Sequence, residues 1–354
     1  MKRILSFCLA ILLVVSLGGC APKQQKFHYQ FFDTFDTIIQ VVGYAKTQQE
    51  FNTYTEFVHE RFRQLNDLFD KFEDHGLDNG IAAINAMAGI APVKAAQEVL
   101  DLVQFSLQWQ RETDGAVDIT MGAVISIWQD YIGRYSGGSE EAVLPPQQEL
   151  EAAAQLCGSH LLEVDEQAGT VYLKEKGASL DVGAVAKGYA TELISQMLLE
   201  SEMPSFIISA GGNVRLGNPP LDGRKGWGVG IQDPDGAVLG LSDIVETLFI
   251  ANTSVVTSGD YQRFYTVDGV NYHHLIDPDT LMPGKDFRAV SIITEDSGLA
   301  DMLSTAAFLM PYDESRAFVD SLEGVDAIWL FPDGSKKYTF GAMNIAKSYG
   351  ATNN

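Results

Sequence analysis

Four short segments carry residue types whose spacing could do chemistry. The first, Asp181-Val182-Gly183-Ala184-Val185-Ala186-Lys187-Gly188-Tyr189-Ala190, takes a strand end through Gly into a helix. Backbone N–H groups at a helix start, with a Lys beside them, suit a phosphate group. It is not a Walker A loop, which needs a Gly four residues further back and Ser or Thr after the Lys. A Gly-mediated turn with a surface Lys accounts for the same residues without a ligand. The second, Ser209-Ala210-Gly211-Gly212-Asn213, follows an apolar strand from Phe206 to Ser209. Paired glycines let a ligand approach the backbone closely, and they equally make a hairpin turn. The segment lacks the G-x-G-x-x-G pattern, so a Rossmann dinucleotide site is not supported.

The third segment is Tyr272-His273-His274-Leu275-Ile276-Asp277-Pro278. A His at a strand end beside a turn can act as a general base near neutral pH, and a structural His fits the position as well. The fourth, Asp301-Met302-Leu303-Ser304-Thr305, lies in an otherwise apolar helix. Asp301 and Thr305 are four apart and share one helical face. A carboxylate and a hydroxyl are hard ligands of the kind Mg²⁺ takes alongside phosphates. The alternative is that Asp301 stands near the helix N-terminus to oppose its dipole.

The elements that must position these segments change character along the chain. From Tyr29 to Gly43 an apolar, β-prone stretch predicts a strand or hairpin edge. A helical half follows. Phe51, Tyr54, Phe57, Val58, Phe62, Leu65, Leu68 and Phe69 recur at helical spacing and predict a long amphipathic helix. Further helices are expected at Gly80 to Met87, Ala95 to Thr113 and Pro146 to Leu156. Beyond Gly158 short strands dominate, at Leu161 to Val164, Thr170 to Leu173, Phe206 to Ser209, Trp227 to Gln232, Ile244 to Ala251, Tyr261 to Val267 and Val290 to Thr294. Helices interrupt them at Ala184 to Leu199 and Leu299 to Met310. This mixture predicts an α+β fold with mixed or antiparallel sheets and packed helices, a single large domain with a helical N-terminal half.

Composition narrows the function classes. With 24 Lys+Arg against 47 Asp+Glu the formal charge is −23, which excludes a basic nucleic-acid binder. The first nineteen residues carry Lys2 and Arg3 and no acid, so without them 22 basic groups face 47 acidic ones, or −25. Ile4 to Leu17 is an apolar run of fourteen residues, shorter than the ~20 that span a bilayer, and reads as a signal peptide within residues 1–19. Leu17-Gly18-Gly19-Cys20 then resembles a bacterial lipobox, with ordinary secretory cleavage nearby as the alternative. Residues 20–28 are expected to be a lipidated Cys20 and a polar tether, because the Cys stands where the apolar run ends and Ala21 to Lys26 is polar; two or more acyl chains would anchor stably where one does not. That places the protein outside the cell membrane and tied to it. Residues 29–348 are the expected catalytic domain and 349–354 a flexible tail. Cys8 would leave with the signal, so Cys157 stands alone and no disulfide is expected.

Together the segments resemble one family, the ApbE-like flavin transferases (FAD:protein FMN transferases). The resemblance runs from about Phe31 to Lys347. It rests on D-x-G-A-x-A-K-G-Y-A, S-x-G-G-N, T-S-G-D-Y at Thr257 to Tyr261, H-H-x-I-D-P and D-x-x-S-T in that order, with Gly115-Ala116-Val117-Asp118-Ile119-Thr120 and Trp128 upstream. The resemblance implies a T-fold-related architecture. It implies FAD contacts from Asp181, Lys187 and Ile276, and a flavin pocket that includes Ala116, Val117 and Asp118. It further places Ser209, Gly211, Gly212, Asn213, Thr257, Ser258 and Gly259 at the cofactor, and Mg²⁺ on Asp301, Thr305 and the Ala184 carbonyl. His274 becomes the base. The family's M-G-T is replaced here by Phe35-Asp36-Thr37, and Asp70 to Asn85 matches only loosely. The implied reaction is Mg²⁺-dependent transfer of FMN from FAD to a Thr or Ser of exported or membrane-bound acceptor proteins, releasing AMP. The alternatives are an FAD pyrophosphatase and a non-catalytic flavin-binding lipoprotein.

Overall fold

A computed structural model describes residues 24–138, 141–238 and 243–353. Cys20 and the expected signal peptide lie outside the described residues. The centre is an eight-stranded sheet of β1 (Gln25–Thr34), β2 (Thr37–Ala45), β3 (Phe206–Ala210), β4 (Asn213–Leu216), β5 (Ser254–Gly259), β6 (Ala289–Thr294), β7 (Asp326–Leu330) and β8 (Lys336–Tyr338). Its spatial order follows the chain and every neighbouring pair is antiparallel. The α+β expectation holds, and the helical half proves to be an insertion between β2 and β3.

Alternation along the strands divides the core into two faces. Ile39 and Val41 of β2, Val256 of β5 and Trp329 of β7 point to the helical side, whereas Tyr44, Val255 and Ile328 point to the other. The helical side holds α1 (Gln48–Phe69), α2 (Gln97–Glu112), α4 (Ala186–Leu199), α5 (Ser297–Leu309) and α6 (Tyr312–Ser321), while α3 (Gly122–Tyr135) packs in a separate cluster with Tyr265, Ile276 and Leu281. α1 starts where Thr47 accepts the Glu50 N–H at 3.1 Å, and it buries Phe51, Val58, Phe62, Leu65 and Phe69 at helical spacing. The opposite side is covered by a hairpin of Trp227–Gln232 and Ile244–Ile250 and by the short helix Phe340–Ile345.

Both ends of the domain are tighter than expected. Gln25 to His28 pair with Val42 to Ala45, so these residues belong to the sheet and not to a tether. Residues 349–353 of the expected flexible tail are docked: Tyr349 packs on Tyr338 at 5.0 Å between ring centroids, and Asn353 Oδ1 accepts the Gly226 N–H at 3.0 Å. The expected strand from Tyr261 is shorter and pairs only over Phe264–Val267 with Val270–His273. Among the described residues no helix is long and apolar enough to cross a membrane.

Candidate active site

The approach to α4 is held from two sides. Asn85 accepts the Leu180 N–H at 2.7 Å and donates to the Leu180 carbonyl at 3.0 Å, and the Asp181 N–H donates to Ile119 at 2.8 Å. Asp181 Oδ1 accepts the Gly183 N–H at 2.8 Å. Its other oxygen lies 2.7 Å from Lys71 Nζ and 3.3 Å from Gln129 Nε2, so both oxygens of this carboxylate already have protein partners.

At the start of α4 the Gly188 N–H donates to Asp301 Oδ2 on α5 at 2.8 Å instead of to the Ala184 carbonyl four residues back. Asp301 therefore caps a neighbouring helix. Its own helix is capped by Asp296, which accepts the Leu299 N–H at 2.9 Å. Burial raises the Asp301 pKa, while Lys187, the Gly188 N–H and Asn213 pull it down. Next to it, Ser258 Oγ lies 2.8 Å from Ser304 Oγ and 3.3 Å from Thr305 Oγ1, which ties β5 to α5.

The glycines of the second segment make the two-residue turn between Ala210 and Asn213, both with positive φ. A Cβ on Gly211 would stand 2.2 Å from Thr37 Oγ1, so this turn packs against the β1–β2 turn where Phe35 and Asp36 also have positive φ. The replaced M-G-T positions thus still form cavity wall. Asn213 accepts the Ser297 hydroxyl at 2.6 Å, and its buried Nδ2 lies near Asp301 without reaching full hydrogen-bond geometry. Thr257 Oγ1 bonds Ser291 Oγ at 2.7 Å, so its hydroxyl joins β5 to β6.

The paired histidines have separate tasks. His273 Nε2 donates to the Gly284 carbonyl at 2.7 Å and its Nδ1 accepts the Leu275 N–H at 3.2 Å, which fixes a neutral tautomer; burial pushes its pKa down to about 4. His274 lines the cavity with a buried Nδ1 that has no partner. Burial, helped by His273, Arg263 and Lys187, pushes its pKa down to about 3 against the pull of the Arg263 backbone. It is a neutral imidazole with a free lone pair across the physiological range.

One cavity of about 890 Å³ gathers the site. Its walls include Ala116, Val117, Asp118, Asp181, Ala184, Lys187, Ser209, Gly211, Gly212, Asn213, Thr257, Ser258, Gly259, His274, Ile276, Asp301 and Thr305. All expected cofactor and metal residues therefore converge. Gln129 and Arg263 also line it, and Lys71 backs it; sequence reasoning missed all three. No periodicity or motif marks Lys71 or Gln129, whereas Arg263 stands two residues beyond the T-S-G-D-Y segment.

The donor chemistry suits a hard divalent cation. Asp301, Thr305 and the Ala184 carbonyl offer oxygen only, and Asp301 is buried without a salt-bridge partner. Among the described residues no group of three or more His, Cys, Asp or Glu could hold a metal on its own.

Comparison with known proteins gives the family of the chain. The model of the ApbE family matches residues 35–329. The FAD:protein FMN transferase of Treponema pallidum (strain Nichols) is 31% identical over 351 residues, covering 94% of this chain and 93% of that protein. A Klebsiella pneumoniae (strain 342) protein of the same name is 29% identical over 269 residues, covering 74% and 79%. Among solved structures, the ApbE protein of Thermotoga maritima MSB8 superposes with a TM-score of 0.77 at 27% identity, covering 90% of this chain and 98% of that one. The flavin transferase ApbE from Vibrio cholerae gives 0.74 at 20% identity over 89% and 97%, a likeness of fold. On its motifs, its sheet and its matched length, the chain belongs to the ApbE family.

Proposed function

We propose that the protein is a Mg²⁺-dependent FAD:protein FMN transferase acting on a Thr or Ser hydroxyl of exported or membrane-bound acceptor proteins. The observation that carries this reading is the convergence of Asp301, Thr305, Ala184, Lys187 and a neutral His274 on one cavity. Asp301, Thr305 and the Ala184 carbonyl would hold Mg²⁺, which when bound would neutralise charge on the pyrophosphate. The Lys187 ammonium would add to that field. His274 Nδ1 takes the acceptor hydroxyl proton as the oxygen attacks the FMN-side phosphorus. The bond from that phosphorus to the bridging oxygen breaks, AMP leaves, and FMN remains on the acceptor as a phosphoester.

The charge pattern, the apolar run and Cys20 support an extracytoplasmic enzyme held at the membrane by a lipid on Cys20. Incubation of the protein with FAD, Mg²⁺ and a candidate exported acceptor, read by mass spectrometry, tests the chemistry. An FMN adduct that requires Asp301 is expected. Free FMN without adduct would identify an FAD pyrophosphatase, and FAD intact after hours a flavin carrier.

A further inference from the structure

Asp181 and Gln129 on the cavity wall, with Lys71 behind them, form a line of contacts that the transfer chemistry leaves without a task. Lys71 Nζ stands 2.7 Å from Asp181 Oδ2, and both side chains are less than a tenth exposed. Gln129 Nε2 donates to the same oxygen at 3.3 Å. A carboxylate in an ion pair has no hydrogen to give, so Gln129 must turn its amide nitrogen toward Asp181 and its carbonyl oxygen away. That oxygen, Oε1, is buried and has no hydrogen-bond partner, a costly state unless a ligand satisfies it. Ile125 and Ile132 of the same helix, with Met121 just before it, line the cavity with Gln129, an apolar wall that suits the face of a planar ring better than a sugar or a phosphate.

We infer that Gln129 Oε1 reads an N–H on one of the rings of FAD, and that Lys71 is a positioning residue which, through Asp181, fixes the end of the amide facing the ligand. FAD offers this donor at two places, the N3–H of the isoalloxazine and the 6-amino group of adenine. The inference rests on the FAD reading above and adds a specificity determinant to it.

Equilibrium binding measured with Mg²⁺ present, for FAD, for 3-methyl-FAD and for the dinucleotide with unsubstituted purine in place of adenine, tests it. Wild-type protein should bind one analogue about tenfold more weakly than FAD, and which one identifies the ring. Gln129→Leu and Gln129→Met should bind FAD about tenfold more weakly and treat that analogue and FAD alike. Lys71→Met should lose the same discrimination, and Lys71→Arg should keep it. Equal binding of all three ligands by wild type, or discrimination that survives in both Gln129 variants, overturns the inference and leaves the FAD reading standing. Wild-type protein that binds no FAD overturns both.

Discussion

Asp301 on α5 accepts the backbone N–H of Gly188 on α4 at 2.8 Å, so the carboxylate of the candidate metal site also caps a neighbouring helix. The approach leaves no room for a side chain. A Cβ at Gly188 would lie 2.3 Å from the Ser297 carbonyl and 2.5 Å from Asp301 Cβ. Gly188→Ala must therefore part the two helices. Overpacking of this kind costs roughly 1–3 kcal/mol, so thermal unfolding should shift down and Mg²⁺-supported FMN transfer should fall with it. Unchanged stability together with unchanged transfer would count against the described packing.

The metal assignment has its own test. Asp301→Asn keeps the shape and the ability to accept the Gly188 N–H but removes the charge. It should fold with near-normal stability and show FMN transfer that no Mg²⁺ concentration restores, while EDTA should silence wild-type protein reversibly. Transfer by the variant at the wild-type rate would remove Asp301 from the metal site.

His274 carries the pH prediction for activity. Because its pKa in the free protein is down near 3, kcat/KM should lack the acid limb that an ordinary imidazole gives near 6.5 and should stay flat from pH 5 to 8 as far as this group is concerned. His274→Ala should lose about 10²- to 10⁴-fold in transfer and retain FAD binding. Rates and binding constants over that pH range check both statements.

His273 carries the pH prediction for stability. Its pKa is about 4 when folded against 6.5 for the free imidazole, so the unfolded chain binds more protons between these values. Its contribution is therefore complete above pH 6.5 and lost as pH falls toward 4. The loss amounts to roughly 3 kcal/mol at one pKa unit per 1.36 kcal/mol. Denaturant unfolding at pH 7 and pH 4.5 should show a steeper fall for wild type than for His273→Gln.

Behind the cavity, Arg215 and Glu192 form a buried ion pair at 3.0 Å, with the Ser297 N–H donating to the same Glu192 oxygen at 2.8 Å. Removing one partner strands the other in the core. Arg215→Met should cost about 3–5 kcal/mol, readable as a lowered denaturation midpoint. The double variant Arg215→Met/Glu192→Gln should recover part of that loss.

Legibility in the sequence tracked how local each signal is. α1 shows in its own periodicity, and the strands Thr170–Leu173 and Trp227–Gln232 match their apolar runs residue for residue. α3 went unread because it opens on Gly122 and its buried Val124, Trp128 and Ile132 follow directly on a motif that draws the eye to loop chemistry. β5 was hidden by its Ser, Thr and Gly, which are hydrogen-bonded across the sheet and to α5 instead of lying at a surface. The site residues were legible as a set through the family motifs. What each does was not: Asn213 and Thr257 turn their oxygens to other elements, and Asp181 meets Lys71 from a distant part of the helical insertion, a contact that only the folded chain creates.

β1 runs from Gln25 to Thr34 and delivers the chain directly into the turn that forms cavity wall at Phe35 to Thr37. At about 3.4 Å per residue a strand of that length reaches on the order of 34 Å. With Cys20 lipidated, only residues 21–24 would separate the acyl chains from this stiff strand. On that proposal the strand would work as a measuring rod: it would cap how far the catalytic mouth could stand from the lipid headgroups. Acceptors whose target hydroxyl lies beyond that height would have to bend toward the bilayer to be served, and inserting residues between Cys20 and Gln25 would widen the set that qualifies.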